Sequence, residues 1–330
     1  MSGGASGRTH PLSPVECSIR AMEAPLADLA VFYEHPTWFE PLFAALDRRG
    51  VDWRAIAAGD HTFDPGPGAP PAPVILNRIG MSAFLRQSDH PIFYARTLFD
   101  HWEGQGARVV NGAAMDVDTS KARQISLIRR LGHGAPETRV AHRIVDLPAA
   151  AAELRFPVLV KPDIGGSGAG IRRFETAEDL AAAVAGGELS MGINSTVLVQ
   201  EAAPIRGGRI VRIETLGGRF LYACSVESGG FDLCLADVCL VAPGKPSLQI
   251  QRVEPPAAVV AAAESIVQAA GIDVGGVEYL VDDRDGSVLF YDVNALSNFV
   301  ADPQAVLGFD PHDNLIDYLV DEIAARKGAQ

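Results

Sequence analysis

The chain opens, once past its first residues, with a regular exchange between two hydrophobic rhythms. Short apolar runs near 29–33, 51–57, 73–78 and 107–111 suit strands, Leu29-Ala-Val-Phe-Tyr33 being the clearest. Between them, residues 38–49 carry Phe39, Leu42, Phe43 and Leu46 at helical spacing and stop at Gly50. Residues 91–105 present Phe93, Ala95, Leu98, Phe99 and Trp102 as the apolar side of a second helix. The Pro/Gly-rich stretch 60–73 breaks both rhythms and reads as a loop. Strands alternating with helices predict a small open parallel sheet with right-handed crossovers.

The texture then changes. Residues 120–131 form an amphipathic pattern with Ile125, Leu127, Ile128 and Leu131 inside, ended by Gly132. A strand at 156–160 runs straight into a glycine-rich stretch. A helix at 176–185 has Thr176 as its N-cap and Asp179 at the third helical position. Another strand follows at 196–200. Beyond residue 209 strands dominate, at 210–216, 219–226, 247–253, 276–281 and 288–293, with Asp283-Arg-Asp-Gly286 as the turn between the last two. Helices at 257–270 and 314–325 complete the chain, and no internal repeat is present.

Composition narrows the class. A length of 330 residues suggests two or three compact units, at roughly 100–200 residues each. With 48% apolar and 21% charged residues the profile is that of a soluble globular protein. A formal charge of −13 disfavours an extended nucleic-acid surface while leaving room for a local phosphate site. No run approaches the ~20 apolar residues of a membrane span. Residues 1–25 read as a disordered lead, rich in Gly, Ser and Pro up to Pro14 and without the apolar core of a secretory signal. Cys17, Cys224, Cys234 and Cys239 form no CxxC pair, so reduced thiols and a cytoplasmic location are expected.

Two clusters carry chemistry. The first is Lys161-Pro-Asp-Ile-Gly165-Gly166-Ser167-Gly168-Ala-Gly170, in which a strand ends on a lysine and glycines follow. Glycines let backbone N–H groups approach phosphate oxygens. The lysine precedes the glycines, unlike a Walker A loop, and the spacing is not that of GxGxxG. By itself the run also fits a flexible hairpin loop. The second cluster is Asp292-Val-Asn294 with Glu278 on the preceding strand. Residues two apart on a strand share a face. Two carboxylates and an amide oxygen suit Mg²⁺ that also holds phosphates, although an edge strand of solvated acids has the same pattern. Lys121 and Arg212, taken singly, read as surface cations. Asn77-Arg78, at a strand end, could meet a substrate carboxylate; His35, Trp38 and 86–90 lie on nearby loops.

In their order and spacing these pieces resemble the ATP-grasp superfamily, and within it the RimK-type carboxylate–amine ligases. The likeness spans roughly residues 25–320. It takes in Val109-Val-Asn111, Lys121 through Pro136-x-Thr138, Lys161 with Gly165, Gly168 and Gly170, Val199-Gln200-Glu201, Arg212, Gly276-Val-Glu278 and Asp292-Val-Asn294. The resemblance implies an α/β chain, α+β overall, of the ATP-grasp fold. A small N-terminal parallel α/β domain (26–112) would precede two α+β subdomains with antiparallel sheets (113–200 and 201–330). ATP would lie between those sheets. Lys121, Lys161, Gly165, Gly166, Ser167, Gly168, Gly170, Gln200 and Glu201 would bind it. Glu278, Asp292 and Asn294 would hold two Mg²⁺ ions, with Mn²⁺ as a substitute, and Arg212 and Lys161 would be catalytic. The implied reaction joins a small-molecule carboxylate to an amine, an amino acid or peptide, through an acyl phosphate. A nucleotide-binding regulatory module and a kinase-like phosphoryl transfer share the same fold. Family members often form dimers or tetramers, which makes a homo-oligomer compatible with the resemblance. This chain departs from the pattern at Ser120, Ile210 and Asp292, where the family commonly has acids, the last of them a longer one. It also carries the neutral-to-acidic stretch Phe231-Asp-Leu-Cys-Leu-Ala-Asp237 where glutamate ligases carry a basic loop. Glutamate therefore fits poorly as a substrate.

Overall fold

Leu29–Tyr33 forms the strand its apolar run predicts (β1), paired in parallel with Trp53–Ala57 (β2) on one side and Val74–Arg78 (β3) on the other. Arg108–Val110 (β4) extends the sheet from β3, giving the order β2-β1-β3-β4. The computed structural model describes residues 27–35, 37–86, 88–166, 168–227 and 250–328. The expected lead, Ser167, the Phe231–Asp237 stretch, Cys17, Cys234 and Cys239 lie outside the described residues. Helices Glu40–Arg48 (α1) and Ile92–Gly104 (α2) cover opposite faces of the sheet. On α2 the buried stripe is Ile92, Ala95, Leu98, Phe99 and Trp102; Phe93, expected inside, is 47% exposed. It sits one position out of phase with the i, i+3, i+7 row that Ile92 begins.

Met115–Asp118 (α3) and Lys121–Arg130 (α4) lead to the second sheet, which holds Thr138–Ala141 (β5), Val158–Pro162 (β6), Arg172–Phe174 (β7) and Val197–Glu201 (β8). Its order is β5-β8-β6-β7, with every pair antiparallel. The helices Leu147–Ala151 (α5) and Ala177–Ala185 (α6) pack on it, and Thr176 caps α6 by accepting from the Asp179 N–H at 3.1 Å. The four- and three-residue strands β5 and β7 have no local pattern that announces them; each exists because a longer neighbour supplies the ladder.

The third sheet runs β11-β10-β9-β12-β13, all antiparallel. It is made of Ile205–Leu216 (β9), Arg219–Glu227 (β10), Ile250–Arg252 (β11), Val274–Asp282 (β12) and Val288–Asn294 (β13). Ala257–Ala269 (α7) and α4 pack on one face through Leu127, Ile128, Val259, Ala263, Ile266 and Val267. After β13 come Pro303–Leu307 (α8) and the long Pro311–Gly328 (α9). α9 does not stay with the third sheet alone. Its Leu315, Ile316, Leu319 and Ile323 join Leu29, Val31, Val74 and Leu76 in one core, so the end of the described chain covers the first sheet beside α1.

One residue ties the first sheet to the third. Asn111, fully buried at the end of β4, adopts a left-handed φ of 61°. Its Nδ2 donates to the carbonyls of Val274 (2.7 Å) and Ala295 (2.5 Å), and its Oδ1 accepts from the N–H groups of Asp273 (2.7 Å) and Val274 (3.1 Å). Its own N–H donates to Asp273 Oδ2 at 2.6 Å. The other oxygen of Asp273 takes Arg108 and the Tyr318 hydroxyl. Asn111→Ala leaves several buried backbone groups without partners and should lower unfolding free energy by roughly 2–5 kcal/mol. Asn111→Gly, which tolerates the positive φ, should lose somewhat less. Chemical denaturation of both variants measures this; unchanged stability in Asn111→Ala would show that the seam does not depend on this side chain.

Candidate active site

Lys161 is the penultimate residue of β6, a side chain only 5% exposed, whose Nζ donates to Gln200 Oε1 at 2.8 Å. Gln200 passes the contact on, donating from Nε2 to Thr138 Oγ1 at 2.8 Å. Burial pulls the Lys161 ammonium down to about 7; the charge of Lys121 acts in the same direction, and Asp292 and Glu278 oppose it.

Lys121 comes from another element, and the buried Asp163 brings the two lysines together. Its Oδ1 accepts from Ser120 Oγ (3.0 Å) and the Ala122 N–H (2.8 Å), its Oδ2 from Asn194 Nδ2 (2.7 Å), and its carbonyl from the Lys121 N–H (3.0 Å). A carboxylate at a helix N-terminus satisfies orphan donors and meets the positive end of the dipole. Asp163 therefore fastens the first turn of α4 to the second sheet. Gln124 fastens the same helix to the third: Nε2 donates to the Val293 carbonyl at 2.8 Å and Oε1 accepts from the Val293 N–H at 3.1 Å. Neither residue stands out in the sequence, because the partners lie about 40 and 170 positions away.

On the third sheet, register places Arg212 of β9, Glu278 of β12 and Asp292 of β13 directly side by side. Gly276 leaves the room this requires: a Cβ there would stand 2.6 Å from the Arg212 guanidinium. Arg212 donates to Glu278 Oε1 (3.1 Å) and to Glu214 Oε1 (2.5 Å). The Tyr291 hydroxyl donates to Glu278 Oε2 at 2.9 Å. Adjacent strand residues normally face opposite ways, yet Tyr291 and Asp292 both line the same cavity. The register explains it: Glu278 faces Asp292 while Tyr279 faces Phe290, so Tyr291 is the extra residue of a bulge. Asp292 accepts from Lys121 Nζ and, at 3.3 Å, from Asn294 Nδ2.

The charges are mutually adjusted. Burial pushes the Glu278 carboxyl up, Asp292 adds to that, and Arg212 resists. Burial also works against the ionised Asp292, but Lys121 and then Lys161 overcome it and hold this carboxyl below its ordinary range. For Lys121, burial works against the ammonium, but Asp292, Glu278 and Asp118 together raise it above its ordinary value. Asp118, buried nearby, is pushed up to about 7, chiefly by burial.

A cavity of about 290 Å³ collects these groups. Lys121, Lys161, Gly165, Gly166, Gly168, Gln200, Glu201, Arg212, Glu278, Asp292 and Asn294 all line it. Its far end is apolar, with Leu159, Ile171, Ala203, Ile205 and Leu280. Gly170 is not on the wall; with φ 75° it turns the loop back against Pro162, which a Cβ would approach to 3.3 Å. Asn77 and Arg78, read as possible partners of a substrate carboxylate, do not line this cavity. Asn77 is used in the seam, donating to the Asn111 carbonyl at 3.1 Å, and Arg78 is 2% exposed behind its strand end, in the field of Glu214. The donor set fits a hard divalent ion bound together with phosphates. A buried carboxylate, a half-buried one beside it and an amide oxygen suffice for Mg²⁺, which takes one or two carboxylates and completes its shell with phosphate and water. Among the described residues no cluster of three or more His, Cys, Asp or Glu could hold a metal by itself.

Comparison with known proteins agrees with this geometry. Residues 121–301, more than half of the chain, match the family model of the carbamoyl-phosphate synthase L chain, ATP binding domain. The chain belongs to the ATP-grasp superfamily. It is 24% identical over 201 residues to the carbamoyl phosphate synthase large chain of a Thermotoga species, covering 57% of this chain and 17% of that one. It is 29% identical over 151 residues to the "Probable alpha-L-glutamate ligase" of Thioalkalivibrio sulfidiphilus, covering 45% and 46%. The chain thus spans less than half the length of these curated relatives. The crystal structure of a RimK domain ATP-grasp protein from Sphaerobacter thermophilus superposes with a TM-score of 0.63 at 19% identity, over 91% of this chain and 99% of that one, a likeness that shows the fold. The RimK-type ATP-grasp resemblance read from the motifs is borne out. Among the described residues no helix is long and apolar enough to cross a membrane.

The Lys161 shift has a testable consequence. In the unfolded chain the lysine titrates near its ordinary value of 10.5, in the fold near 7. Between those values the unfolded chain binds more protons, so this group makes stability rise as pH increases from about 7 towards 10.5. Denaturation of ATP-grasp protein and Lys161→Met variant across that window should show a steeper rise in the former; parallel curves would mean the buried ammonium is not destabilised.

Proposed function

We propose that the protein is an ATP-dependent carboxylate–amine ligase, forming an amide through an acyl phosphate. The observation that carries this reading is the row Arg212–Glu278–Asp292 facing Lys121 and Lys161 in one cavity beneath the glycine loop. In this reading the units 113–200 and 201–330 close on ATP from two sides, and 26–112 helps to enclose the substrates. The adenine would lie at the apolar end, beside Gln200 and Glu201. Lys121 and Lys161 would hold the phosphates, and Gly165, Gly166 and Gly168 would present backbone N–H groups to them. Glu278, Asp292 and Asn294 would hold two Mg²⁺ ions, which neutralise phosphate charge.

The chemistry is positioning and charge compensation. A substrate carboxylate oxygen bonds to the γ-phosphorus as the bond from that phosphorus to ADP breaks. The amine nitrogen then bonds to the acyl carbon, the carbon–oxygen bond to phosphate breaks, and the nitrogen releases a proton to solvent. Arg212 stands where it would stabilise the acyl phosphate and the oxyanion formed between these steps. The anchored N-terminus of α4 keeps Lys121 opposite Asp292, so one cation faces both the carboxylate and the incoming phosphates. A regulatory nucleotide-binding module would have no use for all six charged and amide groups together, which favours the ligase.

The double variant Asp292→Ala, Asn294→Ala should fold, by circular dichroism, and lose Mg-dependent ADP release at least a hundredfold. Normal turnover in it would remove these residues from the site. In the intact protein, ADP release should require a carboxylate and an amine together, scored by phosphate release and product mass. Tight Mg-ATP binding with no stimulation by any pair would favour the regulatory reading.

A further inference from the structure

A second, smaller cavity of about 110 Å³ adjoins the first and shares Gly165, Gly166, Arg212 and Asn294 with it. These four are the glycine loop, the arginine and the outermost of the proposed metal-holding residues. A molecule in the second cavity therefore has one end at the place where the ligase reading puts the γ-phosphate. At that shared boundary stands a guanidinium, suited to a single carboxylate.

The rest of the wall has a different character. Trp38 and Met81 come from the first unit, Leu296, Phe299 and Val300 from the segment after β13, and Val226 from β10. Trp38 is held in place by His35, stacked at 4.2 Å, and by the Arg86 guanidinium 4.5 Å from its ring. Arg86 itself is engaged by Glu34 and by Ser82 Oγ. The ionisable lining groups besides Arg212 and Cys224 are acids or a phenol: Asp118, Glu214 and Tyr222. Asp118 and Glu214 are both more than nine-tenths buried. Among the described lining residues Arg212 is the one cation, and it already donates to Glu278 and Glu214. A second carboxylate on the substrate would enter a pocket whose one described lining cation is already paired with Glu278 and Glu214, and it would lose its hydration against Trp38, Met81, Leu296 and Phe299, which disfavours it by desolvation. The volume is below the ~300 Å³ typical of sites for larger ligands, so it suits a single residue-sized unit.

We propose that this cavity selects the substrate whose carboxylate is activated, and that this substrate is an α-amino acid unit with an uncharged, apolar side chain. Its carboxylate lies at the Arg212 boundary and its side chain between Trp38, Met81, Leu296 and Phe299. The inference rests on the ligase reading and departs from the substrate named for the glutamate ligase relative.

Hydroxylamine can stand in for the unidentified amine, since its nitrogen attacks an acyl phosphate to give a hydroxamate and phosphate. The full chain with Mg-ATP and hydroxylamine is tested against free amino acids of both hands: alanine, valine, leucine, methionine and phenylalanine, then glutamate, aspartate and lysine. At least one apolar member should give ADP and hydroxamate with kcat/KM tenfold or more above that of glutamate and aspartate. Preference for glutamate or aspartate would overturn the substrate class and leave the ligase reading standing. Mg-ATP binding without ADP release for any member would overturn both. Leu296→Lys places a cation in the pocket and should lower the apolar substrate's kcat/KM at least tenfold relative to that for glutamate. Leu296→Ala, which removes bulk without adding charge, should lower the apolar substrate's kcat/KM without that swing towards glutamate. Equal effects of Leu296→Lys on both substrates in a folded variant would remove this pocket from selection.

Discussion

Cations and carboxylates are set against one another in two adjoining, largely buried cavities, and their mutual compensation is the condition for everything else there. Lys121, Lys161 and Arg212 stand against Glu214, Glu278 and Asp292. Each ion alone would pay a desolvation penalty of several kcal/mol, so the group is tolerable only if geometry keeps opposite charges adjacent. The surrounding structure supplies that geometry. Gly276 lets the guanidinium lie flat across a neighbouring strand, the bulge at Tyr291 turns a phenol towards Glu278, and Gln124 and Asp163 hold the lysine-bearing helix at a fixed distance from both sheets. A triphosphate with divalent ions brings negative and positive charge into the same cleft, which such a balanced set can accommodate by exchanging partners and without unfolding.

The seam at Asn111 governs a different property. It joins the parallel sheet to the start of β12 and to Ala295 just past β13. The segment leaving Ala295 carries Leu296, Phe299 and Val300, and the first sheet's loops carry Trp38 and Met81. The buried Asn111 amide, with its left-handed backbone, is one of the ties that fix the relative placement of these walls. In the proposed ligase, substrate choice would thereby depend on the packing of the two end units, while nucleotide contacts would fall to the second and third sheets. Cores made of both chain ends, with α9 lying on β1 and β3, reinforce that link.

The legibility of the site differed by residue. Lys161 and its glycines were visible because a strand ending on a lysine before a glycine run is a local pattern. Asp292 and Asn294 were visible because two-residue spacing on a strand puts them on one face. Lys121 and Arg212 became meaningful only in the order shared with a family, since a single exposed-looking cation carries no local signal. Asp163 and Gln124 were missed because their hydrogen-bond partners are distant in sequence. The burial of Arg78 was not legible for a related reason: a strand end looks open until another unit covers it.

What the sequence by itself determined are the properties with a short period: the long strands and helices, their inward faces, the glycine loop and the same-face acids. These depend on contacts within a few residues, where backbone periodicity translates directly into direction. Tertiary structure alone decided the short strands β5 and β7, the α9 cover on the first sheet, the side-by-side register of Arg212, Glu278 and Asp292, the bulge at Tyr291 and the walls of the smaller cavity. Each of these is a pairing between distant segments. Such pairings are selected by which combination of packing, hydrogen bonding and charge compensation satisfies all the buried groups together, and no local stretch contains that information.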